Sequence, residues 1–243
     1  KNMNKEPLVL SVITAAFNEK KNIPGLIESL RSQSDQEFEW IVADGGSTDG
    51  TLELLACITD LNVEVDSCAD FGLYDAFNRA IKKCSGEYYL VCGADDRLHE
   101  HAIHNYKKEI LRSKTDIITA KIQVGNNAVG PKNFGWLYGM SALISSHSVG
   151  AIFKKSLHER YGYYSKLYPI CSDKLFVSQA IASGATLKKA DFTAGTYSYG
   201  GISSTNVVQT LSQNFCIQIA MGRNKLVQLV LLCLRIIKNY RKL

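Results

Sequence analysis

The run Glu39-Trp40-Ile41-Val42-Ala43-Asp44-Gly45-Gly46-Ser47-Thr48-Asp49-Gly50-Thr51 decides the fold. Glu39 to Ala43 reads as a strand, Asp44 to Gly50 as a glycine-rich acidic turn, and Thr51 to Leu61 as a helix. A strand that passes to a helix through so short a turn is the repeating unit of an α/β sheet. The same grammar extends upstream. Leu8 to Thr14 is a β-branched apolar run, Phe17-Asn18-Glu19 a polar loop, and Asn22-Ile23-Pro24 the cap and first turn of a helix ending near Ser34.

Downstream come a strand at Val63 to Ser67, a helix from Leu73 to Cys84, and a strand from Glu87 to Cys92 stopped by Gly93-Ala94-Asp95-Asp96. A helix with Ile103, Tyr106 and Ile110 on one face leads to another β-branched run, Asp116 to Val124. Alternation with short connections predicts a mostly parallel, doubly wound sheet whose ligand site lies beyond the carboxyl ends of the strands. From Gly125 to Gly135 the chain reads as loop. A short element follows at Trp136 to Ser145, then Val149 to Phe153, a helix from about Ser172 to Ser183 and a strand at Ala185 to Ala190. These extend the same domain, so residues 1–205 are expected to form one unit, with a nucleotide-binding half at 8–124 and an acceptor half at 125–205. Residues 206–243 read as a helical tail broken near Gly222.

With 243 residues, 46% hydrophobic and 21% charged, the chain has material for a full core and too little charge for a disordered one. Glycine (18) and proline (4) are too few for a collagen-like or low-complexity chain. The seven cysteines form no C-x-x-C pair and their number is odd, which points to a reducing, cytoplasmic setting. Lys1 to Pro7 is polar and Leu8 to Ala16 is short and β-branched, so no secretory leader is expected. The net charge of +5 comes from the tail: Phe192 to Leu243 holds six bases and no acid. The basicity is therefore not a nucleic-acid face spread over the body, and no nucleic-acid partner is expected.

Three acidic sites stand at element ends. In Asp44 to Thr51 the glycines permit positive φ and close backbone approach while the carboxylates accept hydrogen bonds; the other reading is a capped turn with Ser47 or Asp49 as N-cap. Asp95 and Asp96 repel each other unless a cation or several donors compensate them. A hard divalent ion that keeps its waters and bridges to a diphosphate needs only one or two such carboxylates, although acids are also favoured at a helix N-terminus. Asp173 opens a helix, where an acid caps or catalyses. The helix starting near Gly72 is expected to aim its N-terminal amides at a diphosphate, with Tyr74, Asp75 and Asn78 nearby and Arg79 or Lys82 adding charge, while Tyr74, Phe77 and Ile81 also make a core stripe. His99, His101, His104 and His158 show no zinc spacing. A dinucleotide G-x-G-x-x-G is absent, and Gly45 to Thr51 lacks the lysine of a P-loop.

In order, Ser11 to Glu19, Asp44 to Thr51, Gly72-Leu73-Tyr74-Asp75-Ala76-Phe77-Asn78, Gly93 to Asp96 and Ser172-Asp173 resemble the family 2 glycosyltransferases over about residues 8 to 201. The resemblance implies a GT-A nucleotide-diphospho-sugar transferase fold. It further implies that Ala15, Phe17 and Glu19 line the nucleotide pocket, that Asp44 accepts a hydrogen bond from the nucleobase, and that Asp75, Asn78 and Asp95 serve the nucleotide. Asp96 would hold Mn²⁺ or Mg²⁺, with His147 as a second candidate ligand, and Asp173 would be the general base. Gly45 replaces the second of two acids found in many members, and Gly93 the first acid of the D-x-D region. Tyr197 to Ser204 looks like the family's segment over the site. The function implied is inverting, metal-dependent transfer from a nucleotide sugar, a UDP-sugar favoured, to a glycan or lipid-linked acceptor in surface polysaccharide assembly; a catalytically silent nucleotide-sugar binding or scaffold protein is the alternative.

In the tail, Leu226 to Ile237 is too short to span a bilayer. Lys225, Gln228, Arg235, Lys238, Asn239 and Lys242 form a polar stripe on an otherwise apolar helix, which either docks on the domain or lies at the inner surface of the cytoplasmic membrane.

Overall fold

The computed structural model describes residues 9–132, 135–198 and 206–240. Among the described residues nine strands form one sheet: β1 (Leu10–Ala16), β2 (Glu39–Asp44), β3 (Val63–Ser67), β4 (Tyr88–Val91), β5 (Arg97–Leu98), β6 (Ile117–Val124), β7 (Asn127–Val129), β8 (Ala151–Lys154) and β9 (Leu187–Thr196). Their order is β3-β2-β1-β4-β8-β6-β9-β5, with β7 paired to β6. β3, β2, β1 and β4 are parallel, β8 runs against both its neighbours, and β6 and β9 are parallel again. The fold is the expected mixed α/β sheet, mostly parallel.

Successive residues of the central strands serve opposite cores, as the two-residue period of a strand requires. Val12, Trp40, Val42, Tyr88 and Leu90 pack with α1 (Ile23–Arg31) and α4 (Ala102–Ser113); Ile13, Ile41, Ala43, Tyr89 and Val91 pack with α3 (Leu73–Lys83) and α7 (Ser172–Ala182). Both faces are covered, so the strands are apolar throughout and only their ends are free for polar chemistry.

The differences from the sequence reading have local causes. α2 (Thr51–Ala56) stops well short of Leu61, where Cys57 caps it and Ile58 turns into the core. β9 runs to Thr196, beyond the expected Ala190, because its register shifts against β6 let a charged segment continue the ladder. β5, β7 and the short α5 (Gly135–Tyr138) and α6 (Leu157–Tyr161) carry no apolar period of their own.

The tail forms α8 (Val207–Ala220) and α9 (Lys225–Asn239), separated at Gly222, whose φ of +74° suits glycine. α8 is docked on the domain. Its Gln213 Oε1 accepts the N–H groups of Ile170 and Cys171, each at 3.1 Å, and its buried Ile217 packs on the same two residues, just before α7.

Candidate active site

β1 ends at Ala16, β2 at Asp44 and β4 at Val91, all on one edge of the sheet. Beyond that edge opens a cleft of about 460 Å³ whose walls include Ala15, Glu19, Asp95, Asp96, His147 and Asp173. Residues from β1, the β4 turn, the chain before β8 and the start of α7 thus converge on one space.

Asp173 sits in the first turn of α7 and is buried. Tyr74 Oη, from α3, lies 2.6 Å from its Oδ1 and 3.0 Å from the Ile170 carbonyl. Burial, with the Asp173 charge beside it, pushes the Tyr74 phenol well above its ordinary pKa, so it stays protonated and donates. Among the described residues no hydrogen bond reaches Asp173 Oδ2.

The two acids of the β4 turn differ. Asp96 is buried: its Oδ1 accepts Ser198 N–H at 2.9 Å, and its Oδ2 accepts the Ser148 hydroxyl at 2.5 Å and Gly93 N–H at 3.2 Å. Burial is the largest influence on it and carries its pKa up to about 6 despite those donors. Asp95 makes no side-chain hydrogen bond or ion pair among the described residues and borders the cleft, while its carbonyl accepts from Ser198 Oγ at 2.7 Å. Sequence expectation gave the metal to Asp96; the open carboxylate is that of Asp95, and Asp96 anchors the turn to Ser148 and Ser198. A Cβ added to Gly93 would lie 2.9 Å from both Asp95 Oδ1 and Asp96 Oδ2. That side-chain-free space between two carboxylate oxygens fits a hard divalent cation completed by water and phosphate oxygens. Among the described residues no group of three His, Cys, Asp or Glu side chains could hold a metal by itself.

His147 lines the cleft, and its Nε2 lies 2.7 Å from Tyr164 Oη. Tyr164 Oη is 2.7 Å from Tyr89 Oη, which is 2.7 Å from His158 Nε2, whose Nδ1 is 3.1 Å from the Gly162 carbonyl. Burial lowers the pKa of His147, and that of His158 to about 4, so both rings are neutral at pH 7. A carbonyl only accepts, so His158 carries its proton on Nδ1 and accepts from Tyr89 at Nε2. Tyr89 then accepts from Tyr164, and Tyr164 from His147 Nε2–H. His147 is left with its lone pair on Nδ1, the form in which imidazole binds a metal.

Other expected site residues are placed differently. Asp44 is fully buried and folds its own turn: Oδ2 accepts Gly46 N–H, Ser47 N–H and Ser67 Oγ–H at 2.9, 2.9 and 2.7 Å, and Oδ1 accepts Ser47 Oγ–H. Burial pushes its pKa up, but these donors outweigh it and hold the carboxyl below its usual range. It is not part of the cleft wall. Asp75 pairs with Lys166 Nζ at 3.0 Å and accepts Phe71 N–H. Asn78 clasps the backbone of Tyr164 with both ends of its amide, at 2.9 and 3.0 Å. The reason is helical spacing, since the cleft-facing residues of α3 are Leu73, Tyr74 and Phe77, and Asp75 and Asn78 project from other faces. Arg79 is likewise spent on Asp66 Oδ2 at 2.7 Å and the Asp44 carbonyl at 3.1 Å.

Phe17 is 62% exposed beside Gly45, where an added Cβ would meet Phe17 Cδ2 at 3.3 Å and Asp70 Oδ2 at 2.9 Å. Asp70 was missed in the sequence, although Asp70-Phe71-Gly72 directly precedes α3 and Asp70 Oδ1 accepts Gly72 N–H. Lys132 and Lys174 also line the cleft; the base next to Asp173 was the available signal for Lys174. The expected covering segment is described only at Tyr197 and Ser198, and Tyr199 to Ser204 lie outside the described residues.

A mostly parallel sheet with an acid-lined cleft at the carboxyl ends of its strands is the arrangement of a GT-A type glycosyltransferase. The profile of Glycosyl transferase family 2 matches residues 11–181, and the chain belongs to that family. A PGL/p-HBAD biosynthesis glycosyltransferase of Mycobacterium bovis is 24% identical over 236 residues, covering 91% of this chain and 90% of that protein. Among solved structures, S. aureus TarS 1-349 in complex with UDP-GlcNAc superposes with a TM-score of 0.70 at 20% identity, over 96% of this chain and 73% of that one. The mannosyltransferase PcManGT from Pyrobaculum calidifontis, in complex with GDP-Man and Mn²⁺, gives 0.66 at 16% identity, over 98% and 76%. These structural likenesses speak for the fold.

Proposed function

We propose that this glycosyltransferase is an inverting, divalent-metal-dependent enzyme. It moves a sugar from a nucleotide diphosphate donor, a UDP-sugar favoured, to a hydroxyl of a glycan or lipid-linked acceptor in surface polysaccharide assembly, on the cytoplasmic side. The observation that carries this is the open Asp95 carboxylate and Asp173 on the wall of one cleft. Mn²⁺-bound and UDP-sugar-bound solved relatives of the same fold support the donor and the metal.

Asp173 is the base. A sugar hydroxyl is a weak acid, so its proton passes to Asp173 Oδ2 as the acceptor oxygen bonds to the anomeric carbon and the bond to the diphosphate oxygen breaks on the opposite face. One base and one in-line displacement invert the anomeric centre. Tyr74 holds Oδ1 and so aims the second oxygen. At the other end Asp95, with His147 Nδ1 as a further donor, would hold the cation, and Lys132 and Lys174 add positive charge for the diphosphate. When bound, such an ion supplies Lewis-acid stabilisation of the departing diphosphate. Ala15 and Glu19 line the donor end, and the exposed Phe17 ring stands ready for the base.

The test is Asp173→Asn, assayed with UDP-sugars and Mn²⁺. Turnover should fall by about 10³-fold or more while donor affinity stays within roughly threefold of wild type. Unchanged turnover removes Asp173 as base, and a variant that binds no donor removes the separation of the two roles.

A further inference from the structure

α9 sits on the domain with Gln228, Arg235 and Asn239 inward, flanked by half-buried Leu231 and Leu232. Gln228 is 3% exposed, Arg235 is half-buried with Nη2 donating to the Leu137 carbonyl at 2.6 Å, and Asn239 Nδ2 donates to the Arg235 carbonyl. The apolar side faces out: Leu226 is 75% exposed, and Leu229, Val230, Cys233, Leu234 and Ile237 are exposed along with it. At about 100° per residue these side chains sweep roughly half the helix circumference. Lys225 falls at one edge of that arc and Lys238 at the other, and both are exposed.

A stable helix normally buries its apolar side and exposes its polar one. This one turns most of its apolar side chains outward over four turns and its polar stripe inward, and an apolar surface so large and continuous marks a place where something else binds. Charge decides the occupant. Phe192 to Leu243 holds no acid, and exposed Arg223, Lys225 and Lys238 frame the apolar arc. Two copies laid face to face, in either direction, would bring these bases together with no carboxylate between them. A surface of lipid phosphates satisfies the bases while the acyl region takes the leucines, and lysines at the edges of such an arc reach up to the headgroups.

We propose that α9 is a surface anchor that lies flat on an anionic bilayer with Leu226, Leu229, Val230, Leu234 and Ile237 inserted and Lys225 and Lys238 at the headgroups. No described helix is long and apolar enough to cross a membrane, so the helix lies in the interface. The anchor is coupled to the site. Arg235 binds Leu137, and the next residues, Gly139–Ala142, form the 3-10 turn whose Met140 and Ser141 line the cleft. Anchoring therefore holds that wall of the cleft against the lipid surface. A lipid-linked acceptor fits this placement, and that last step alone rests on the proposed transfer reaction.

The experiment is flotation of the full chain with vesicles of pure phosphatidylcholine or of phosphatidylcholine with phosphatidylglycerol. Wild type should float with the anionic vesicles, roughly tenfold better than with the neutral ones, and lose most of that binding as salt is raised from about 0.05 to 0.5 M. The triple variant Leu226→Gln, Val230→Gln, Ile237→Gln should stay in solution with an unchanged melting temperature, and Lys225→Gln with Lys238→Gln should lose the anionic preference. Should the triple variant fail to fold, the salt and lipid dependence of the wild type decides. Wild type that ignores both vesicles, or that forms a dimer abolished by the triple substitution, overturns the anchor. UDP-sugar turnover, measured without vesicles, fails only if the transferase reading fails, so the two are separable.

Discussion

Two glycine-rich acidic turns follow parallel strands of the same sheet, and they have opposite fates. After β2, Asp44 turns back on its own loop and gathers four hydrogen bonds. After β4, Asp96 is tied down in the same way by three, while its neighbour Asp95 is left open to the cleft. A buried carboxylate with its lone pairs filled is structural, and one without protein donors at a cleft wall is available to a ligand. What separates the two turns is thus where the donors go, not which residues they contain.

Exchanging the phenotypes of the two turns is the strongest test. Asp95→Ala should cut kcat/KM by about 10³-fold, as loss of a charge-stabilising group does, with a melting curve close to wild type. Asp44→Ala should instead lose about 3 kcal/mol or more of unfolding free energy in urea, because four donors are left buried without their acceptor. Equal activity loss with no loss of stability at Asp44 would return it to the donor site. Next in size is Tyr74→Phe, expected to lower kcat about tenfold while KM for the donor stays within about twofold of wild type. Tyr74 Oη fixes Asp173 Oδ1, so its loss should fall on kcat alone, whereas a purely structural role for Tyr74 would lower the melting temperature and leave kcat per folded molecule unchanged.

Asp96 offers a pH test of its turn. Its pKa is raised in the folded state to about 6, so the folded protein holds this proton more tightly than the unfolded chain. The stabilisation from that proton is present below the unfolded pKa of about 4 and is lost as pH rises through about 6. Thermal melts of wild type and Asp96→Asn, compared from pH 4 to 7, should show wild type losing ground by about 2 to 3 kcal/mol. A constant difference would mean that Asp96 is not strained by burial. The smallest effect is expected from Gly93→Ala. The new methyl meets Asp95 Oδ1, which can swing aside, and Asp96 Oδ2, which its hydrogen bonds hold, so stability should fall by about 1 to 2 kcal/mol while activity falls several-fold.

The strands and helices of the first half were legible because each carries its own apolar period: Val12, Trp40 and Leu90 face one core, and Ile13, Ile41 and Val91 the other. β9 was legible only in part, since Lys188, Lys189 and Asp191 break its period and its pairing with β6 defines it. In the site, the cleft acids were readable as a group, but which of Asp95 and Asp96 would be tied down and which left open was not, because two adjacent residues on an irregular turn have no periodicity to orient them. Asp75 and Asn78 were misplaced for a related reason. Position along α3 was clear, but which side of the helix met the cleft depended on partners nearly ninety residues away, such as Tyr164. The stripe on α9 was visible on a wheel, but the choice of which side turns inward was made by the Leu137 carbonyl.

The chain of rings from His158 to His147 begins at a carbonyl that can take a hydrogen and never give one, so every link after it has its direction dictated. The wall of the cleft is thereby wired to the Gly162 carbonyl, which lies outside the cleft lining. A substitution at His158 would release the direction of every hydroxyl after it, and with it the proton that fixes which nitrogen of the imidazole at the far end is left free.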